Sequence, residues 1–188
     1  MQIGGTELTV ERGDITKSTT DAIVNAANCT LLGGGGVDGA IHRAAGMKLY
    51  LYCAKLGGCK TGEAKITPGF NLPAKYIIHT PGPVWNAKRE EECDALLHNS
   101  YFNSLRLAEE NGCQSIAFPS ISTGIYRFPL ERAAAIVART LSEYAQTHDS
   151  GIEEVTMVCF DQTTYEAYRA AFEKEELGRP GARVGISR

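Results

Sequence analysis

Apolar residues recur along this chain in two alternating periods. Short runs rich in β-branched and aromatic residues, bounded by Gly, Pro, Asn or Asp, predict strands at Leu8–Val10, Ala22–Asn25, Ala64–Thr67, Tyr76–His79, Ser115–Phe118 and Val155–Phe160. Longer segments between them carry the helical period. A helix is predicted from near Asp38 to Ala45, where Gly46 interrupts it, and a second from Lys48 to Leu56, ended by Gly57-Gly58. Over 89–111, Leu97, Tyr101, Ser104, Leu105 and Ala108 share one face, and Asn111-Gly112 is a stop signal. Pro129 suits the first turn of a further helix, whose stripe is Ala133, Ala134, Val137, Leu141, Tyr144 and Ala145. Thr163 to Glu175 is the last helix predicted. Gly13-Asp14-Ile15-Thr16 turns the chain after the first strand, and the prolines of Thr80-Pro81-Gly82-Pro83 end the strand before them. This alternation predicts an α/β fold, a three-layer α/β/α sandwich around a mixed, mostly parallel sheet. Ligands of such sheets bind beyond the carboxyl ends of the strands.

Length narrows the picture to one domain. The 188 residues suffice for one well-buried core, expected over 1–177, and the Gly-, Pro- and Arg-rich stretch 178–188 reads as a mobile tail. There is no internal repeat, low-complexity segment or linker. A net charge of −3 argues against a basic nucleic-acid face. No run is long and apolar enough for a membrane span, and MQIGGTELTV lacks the basic start and apolar core of a secretory signal. The six cysteines form no Cys-x-x-Cys pair and do not cluster with His42, His79, His98 or His148. They read as reduced thiols of a cytoplasmic protein, with no metal site.

The candidate chemistry lies between Asn25 and His42, NAANCTLLGGGGVDGAIH. A strand runs into a polar turn, then Gly33 to Gly36, then a helix start at Val37-Asp38. Glycines let backbone pass close to a ligand, and a helix N-terminus favours an anion, most often phosphate. Ser120 to Tyr126 is a second loop of this kind, so the two are expected to clamp a diphosphate from both sides. The first is not a Walker loop, because no Gly-Lys-Ser/Thr follows it, and it is no Rossmann fingerprint. On its own Asp38 reads as an N-cap, Asp14 as a turn residue, Phe160 as core and His42 as a buried, hydrogen-bonded histidine. A carboxylate at a helix N-terminus is expected to stay ionised in the helix dipole.

Several of these segments occur together, and in the same order, in one known family. Gly13–Thr16, Asn25–Asn28, Gly33–His42, Thr61–Ala64, Leu72–Lys75 through Gly82-Pro83, and Ala117–Tyr126 make the chain resemble MacroD-type macrodomains over roughly 6–175. The resemblance implies an ADP-ribose-binding hydrolase without a cofactor, acting on O-acetyl-ADP-ribose and on mono-ADP-ribosylated acidic side chains of proteins. It implies that Asp14, Ile15 and Phe160 hold the adenine. Gly35, Gly36 and Val37, with Ser122, Thr123, Gly124, Ile125 and Tyr126, would take the diphosphate and ribose. Asn28 and Asp38 would address the distal ribose and orient the attacking water, with His42 and Asn25 supporting them from behind. Three positions depart from the family pattern: Arg127 where Gly is usual, Met47 where Pro is usual and Pro81 where Val is usual. Two other readings stay open: a module that binds ADP-ribose without turnover, and a phosphatase acting on ADP-ribose phosphate.

Overall fold

The computed structural model describes residues 1–147 and 149–180. Its sheet has seven strands: β1 (Gln2–Ile3), β2 (Thr6–Arg12), β3 (Ala22–Ala27), β4 (Lys65–Pro68), β5 (Tyr76–Pro81), β6 (Ser115–Phe118) and β7 (Glu154–Cys159). Their order across the sheet is β1-β2-β7-β6-β3-β5-β4. The five inner strands run parallel, and β1 and β4 flank them antiparallel. The helices are α1 (Gly36–Ala45), α2 (Met47–Ala54), α3 (Glu90–Glu110), α4 (Leu130–Thr147) and α5 (Gln162–Leu177), with a 3-10 turn at Ile15–Lys17.

Side-chain alternation along the strands divides the apolar residues between two cores. Val24, Ile78, Phe118 and Met157 face one side, where Leu97, Tyr101, Val137 and Tyr168 of α3, α4 and α5 cover them. Ile23, Ile77, Ala117 and Val158 face the other, where they meet Ile41, Leu49 and Cys53 of α1 and α2. Strands buried on both faces read as continuous apolar runs, as Ala22-Ile23-Val24 and Ile77-Ile78 do. The three-layer sandwich is the architecture that the alternation predicts.

Element bounds shift by a few residues, and two of the shifts matter. β3 continues past Asn25 to Ala27, so Asn25 lies within the sheet, level with His79 of β5. β7 stops at Cys159, which leaves Phe160 beyond the strand. The two-residue β1 carries too short a pattern to be read from sequence. Of the tail expected to be mobile, 181–188 lies outside the described residues, while Gly178 caps α5 and Arg179 donates to the Gln2 carbonyl at 3.3 Å. All six cysteines are free, five of them buried. No helix among the described residues is long and apolar enough to cross a membrane.

Candidate functional site

Parallel pairing puts the carboxyl ends of β2, β7, β6, β3 and β5 on one edge, in that spatial order. The sequence-predicted groups therefore fall in a row. Asp14 and Ile15 follow β2, Phe160 follows β7, Ser122–Tyr126 follow β6, and Asn28 and the glycine loop follow β3. From β2 to β3 the row spans three strand spacings, about 14 Å.

At the β2–β7 end, Asp14 accepts from the Thr16 N–H at 3.0 Å and the Thr16 hydroxyl at 2.6 Å through Oδ1, capping the 3-10 turn. The Thr16 hydroxyl and N–H, with Lys17, hold its carboxyl below the usual range. Asp14 is exposed and Ile15 buried beneath it. Phe160 is 87% exposed, so the core reading of this ring is set aside: the ring lies open just past β7. Backbone pairing ties the two positions together, the Gly13 N–H donating to the Cys159 carbonyl at 3.0 Å.

The central loop is braced from below. The buried Tyr101 hydroxyl donates to the Pro119 carbonyl at 2.9 Å and accepts from the Ile121 N–H at 3.0 Å. Ser120 Oγ lies 2.6 Å from Thr123 Oγ1 and 2.8 Å from the Tyr168 hydroxyl. The Phe128 N–H closes the loop onto the Ser122 carbonyl at 2.9 Å, and the Trp85 N–H holds the Tyr126 carbonyl at 2.8 Å. The amides of Ser122, Thr123, Gly124, Ile125 and Tyr126 take no partner among the described residues. Gly82 permits this packing, because a Cβ there would stand 2.2 Å from Ser122 Oγ and 2.4 Å from an Ile121 methyl. The departure at Arg127 is also explained. Its φ is +60°, which favours Gly, and the arginine adopts it in an exposed position at a cost of about 1 kcal/mol.

At the β3–β5 end, Gly35 caps α1, which begins at Gly36. The Gly35–Val37 backbone is thus the amino end of the helix facing the edge. Asp38 is not the cap. It sits in the first turn, 5% exposed, with Oδ1 accepting from Asn25 Nδ2 at 2.8 Å. His42, one turn on, brings Nε2 within 3.4 Å of the same oxygen without hydrogen-bond geometry. Burial pushes the Asp38 carboxyl up, and the Asn25 N–H and His42 offset that only in part. The helix dipole favours the ionised form, and burial against the sheet opposes it.

Asn28 donates from Nδ2 to the Gly33 carbonyl at 2.9 Å and accepts at Oδ1 from the Thr30 hydroxyl at 2.6 Å and its N–H at 3.2 Å. It thus shapes the turn and has one amide hydrogen to spare. A methyl on Gly34 would stand 3.2 Å from Asp38 Oδ2 and 3.5 Å from Asn28 Nδ2, so both groups converge beside that glycine. Sequence reasoning missed what lies behind Asn25. His79 Nδ1 is 3.1 Å from Asn25 Nδ2, and Thr67 Oγ1 is 2.9 Å from His79 Nε2. The signal was available only as strand register, which sets Asn25 beside His79 and His79 beside Lys65.

The Macro domain profile matches residues 24–137, the span that holds the glycine loop, Asp38 and the β6–α4 loop. A macro domain-containing protein of Lactiplantibacillus plantarum is 61% identical over 88% of this chain and 95% of its own. The chain belongs to the Macro domain family. An Escherichia fergusonii macrodomain relative named O-acetyl-ADP-ribose deacetylase is 52% identical, over 85% of this chain and 91% of its own. The Oceanobacillus iheyensis macrodomain solved with ADP superimposes with a TM-score of 0.88 at 44% identity, covering 93% of this chain and 94% of that one. In this macrodomain the edge combines loop amides without a partner among the described residues at its centre with a buried carboxyl at one end.

Proposed function

We propose that this macrodomain binds ADP-ribose along the carboxyl edge and hydrolyses O-acetyl-ADP-ribose and mono-ADP-ribosyl esters of acidic protein side chains. The observation that carries the reading is the convergence of Asp38 and Asn28 beside Gly34, at the amino end of α1. Adenine would lie against Phe160, its amino group toward Asp14. The diphosphate would sit between the Ser122–Tyr126 amides and the Gly35–Val37 backbone, where N–H groups and the helix end supply positive potential. The distal ribose then reaches Asn28 and Asp38. An Asp38 carboxylate beside the ester can hold a water in line with the acyl or anomeric carbon and take its proton. The attacking oxygen forms the new bond, the ester C–O bond breaks, and the leaving oxygen recovers a proton. The Escherichia fergusonii relative's name supports the O-acetyl-ADP-ribose part of this reading.

Incubation with O-acetyl-ADP-ribose and with an aspartyl- or glutamyl-ADP-ribosylated protein tests this directly. Release of ADP-ribose from the protein and of acetate from the small ester is expected, with undiminished ADP-ribose binding in a chelator. Binding without release from either substrate would leave a reader module instead. Loss of binding on removing divalent metal would count against the pocket as described.

A further inference from the structure

Behind Asp38 runs a buried polar chain that the water-orienting role does not itself require: Asn25, His79 and Thr67, all fully buried or nearly so. We propose that His79 is a positioning residue whose Nδ1 lone pair holds the Asn25 amide in the one orientation that points an N–H at Asp38 Oδ1. This rests on Asp38 being the water-orienting group.

The geometry assigns the proton on the ring. The Asp38 carboxylate accepts, so the Asn25 amide nitrogen faces it; the same nitrogen also faces His79 Nδ1, which places the hydrogen of the neutral ring on Nε2, 2.9 Å from Thr67 Oγ1. Nδ1 is then bare and accepts from Asn25 Nδ2 at 3.1 Å. The second hydrogen of that amide nitrogen goes to Asp38 Oδ1 at 2.8 Å. Asn25 Oδ1 has no partner among the described residues, so nothing on its far side fixes the amide. A flipped amide would set its oxygen against both the bare Nδ1 and the carboxylate. The strand ladder keeps the pair together, because Asn25 and His79 are register partners. The other groups facing the ring are His42, its ring centroid 6.4 Å away, and Cys53, whose Sγ is 4.0 Å from Nε2. Burial, with His42 assisting, pushes the His79 pKa down to about 3, so the Nδ1 lone pair stays available wherever the enzyme would work.

Two measurements test this. Nitrogen-15 NMR of the parent should show His79 with Nε2 protonated and Nδ1 bare, and a proton on Nδ1 would overturn the proposal outright. Carbon-13 NMR titration of the Asp38 carboxyl should then compare the parent with His79→Phe and His79→Asn. His79→Phe removes the acceptor and should raise the Asp38 pKa by about one unit, with a tenfold loss of kcat/KM on the acid limb. ADP-ribose affinity should be unchanged. His79→Asn restores an acceptor near the Nδ1 position and should return both readouts toward the parent's. An unmoved Asp38 titration in a folded His79→Phe variant would overturn the proposal. If that variant does not fold, the ring-nitrogen measurement on the parent decides alone. A parent inactive on every ADP-ribosyl ester would remove the hydrolase reading while leaving both NMR tests in force.

Discussion

At the β3–β5 end of the edge the polar groups are buried and tied to one another. At the β2–β7 end they stand in solvent. Asp38 is 5% exposed, its pKa raised by burial, and it is backed by Asn25 and His42, with His79 behind Asn25. Asp14 is exposed, with its carboxyl held low by the Thr16 hydroxyl and N–H. Phe160, at the end of the neighbouring strand, offers a bare ring. Burial strengthens electrostatics and fixes geometry, which suits a step where one water must be held in line. An open ring and an ionised acceptor suit recognition, since a base can stack and hydrogen-bond there without the site reorganising. On the proposed reading Asp38 serves turnover and Asp14 affinity, and substitutions should separate them.

The largest effect is expected from Asp38→Ala. Loss of a group that orients and deprotonates water should lower single-turnover hydrolysis by about 10²-fold or more. ADP-ribose affinity measured by calorimetry should change little, because adenine, diphosphate and ribose contacts remain. Full activity in a folded variant would refute the assignment.

Asp14→Ala should do the reverse. Losing a charge-assisted hydrogen bond to the base weakens binding by about 1.5–3 kcal/mol, on the order of ten- to a hundredfold in Kd. Turnover at saturating substrate should stay near the parent's. Parent-like binding would reduce Asp14 to the cap of its 3-10 turn.

The contrast between the ends also divides what the chain itself discloses. The apolar alternation places the strands, the layers and the loops, because strand and helix periods are local properties. Asn28, Asp38 and the glycine loop are legible for the same reason, lying within a dozen residues of one another. Phe160 was ambiguous: a ring at a strand end is core or platform according to a one-residue boundary, which pattern alone does not settle. The upward pull of burial on Asp38 was not legible, because helix position is local and burial is not. His79 and Thr67 stayed silent as functional groups, since their link to Asn25 is made by pairing of β3, β5 and β4 across tens of residues. Arg127 stood out only as a departure, and its positive φ supplies the reason the position usually takes Gly.

A smaller effect is expected at the open end from Phe160→Ala. Aromatic stacking beyond area burial amounts to about 0.5–1.5 kcal/mol, so Kd should rise roughly two- to tenfold. Thermal stability should not fall, because the ring is 87% exposed and packs little of the core. A clear drop in Tm would mean the ring is held by the protein and is no open platform.

The smallest effect bears on stability and has opposite signs at the two ends. Burial raises the Asp38 pKa in the folded chain. The folded state therefore disfavours the ionised form, so this group's contribution is most favourable below the unfolded carboxyl's pKa and is lost as pH rises through the folded value. Near neutral pH the ionised Asp38 is a net cost that the Asn25 N–H and His42 offset only partly. Asp38→Asn removes the charge at nearly constant shape and should stabilise the fold at pH 7 by about 0.5–2 kcal/mol, the range of ordinary stabilising substitutions. The gain should fade at pH values low enough to protonate the parent's carboxyl. Asp14 has a lowered folded pKa, so its ionised form favours the fold at neutral pH, and that contribution is lost as pH falls through the folded value. Asp14→Asn should therefore shift Tm slightly downward at pH 7 and converge on the parent in acid. Thermal melts of the parent and both variants at pH 7 and at an acid pH would read the two signs together. A lower Tm for Asp38→Asn at pH 7 would show that its carboxylate is stabilised in place, and the opposition in sign between the two ends would be lost.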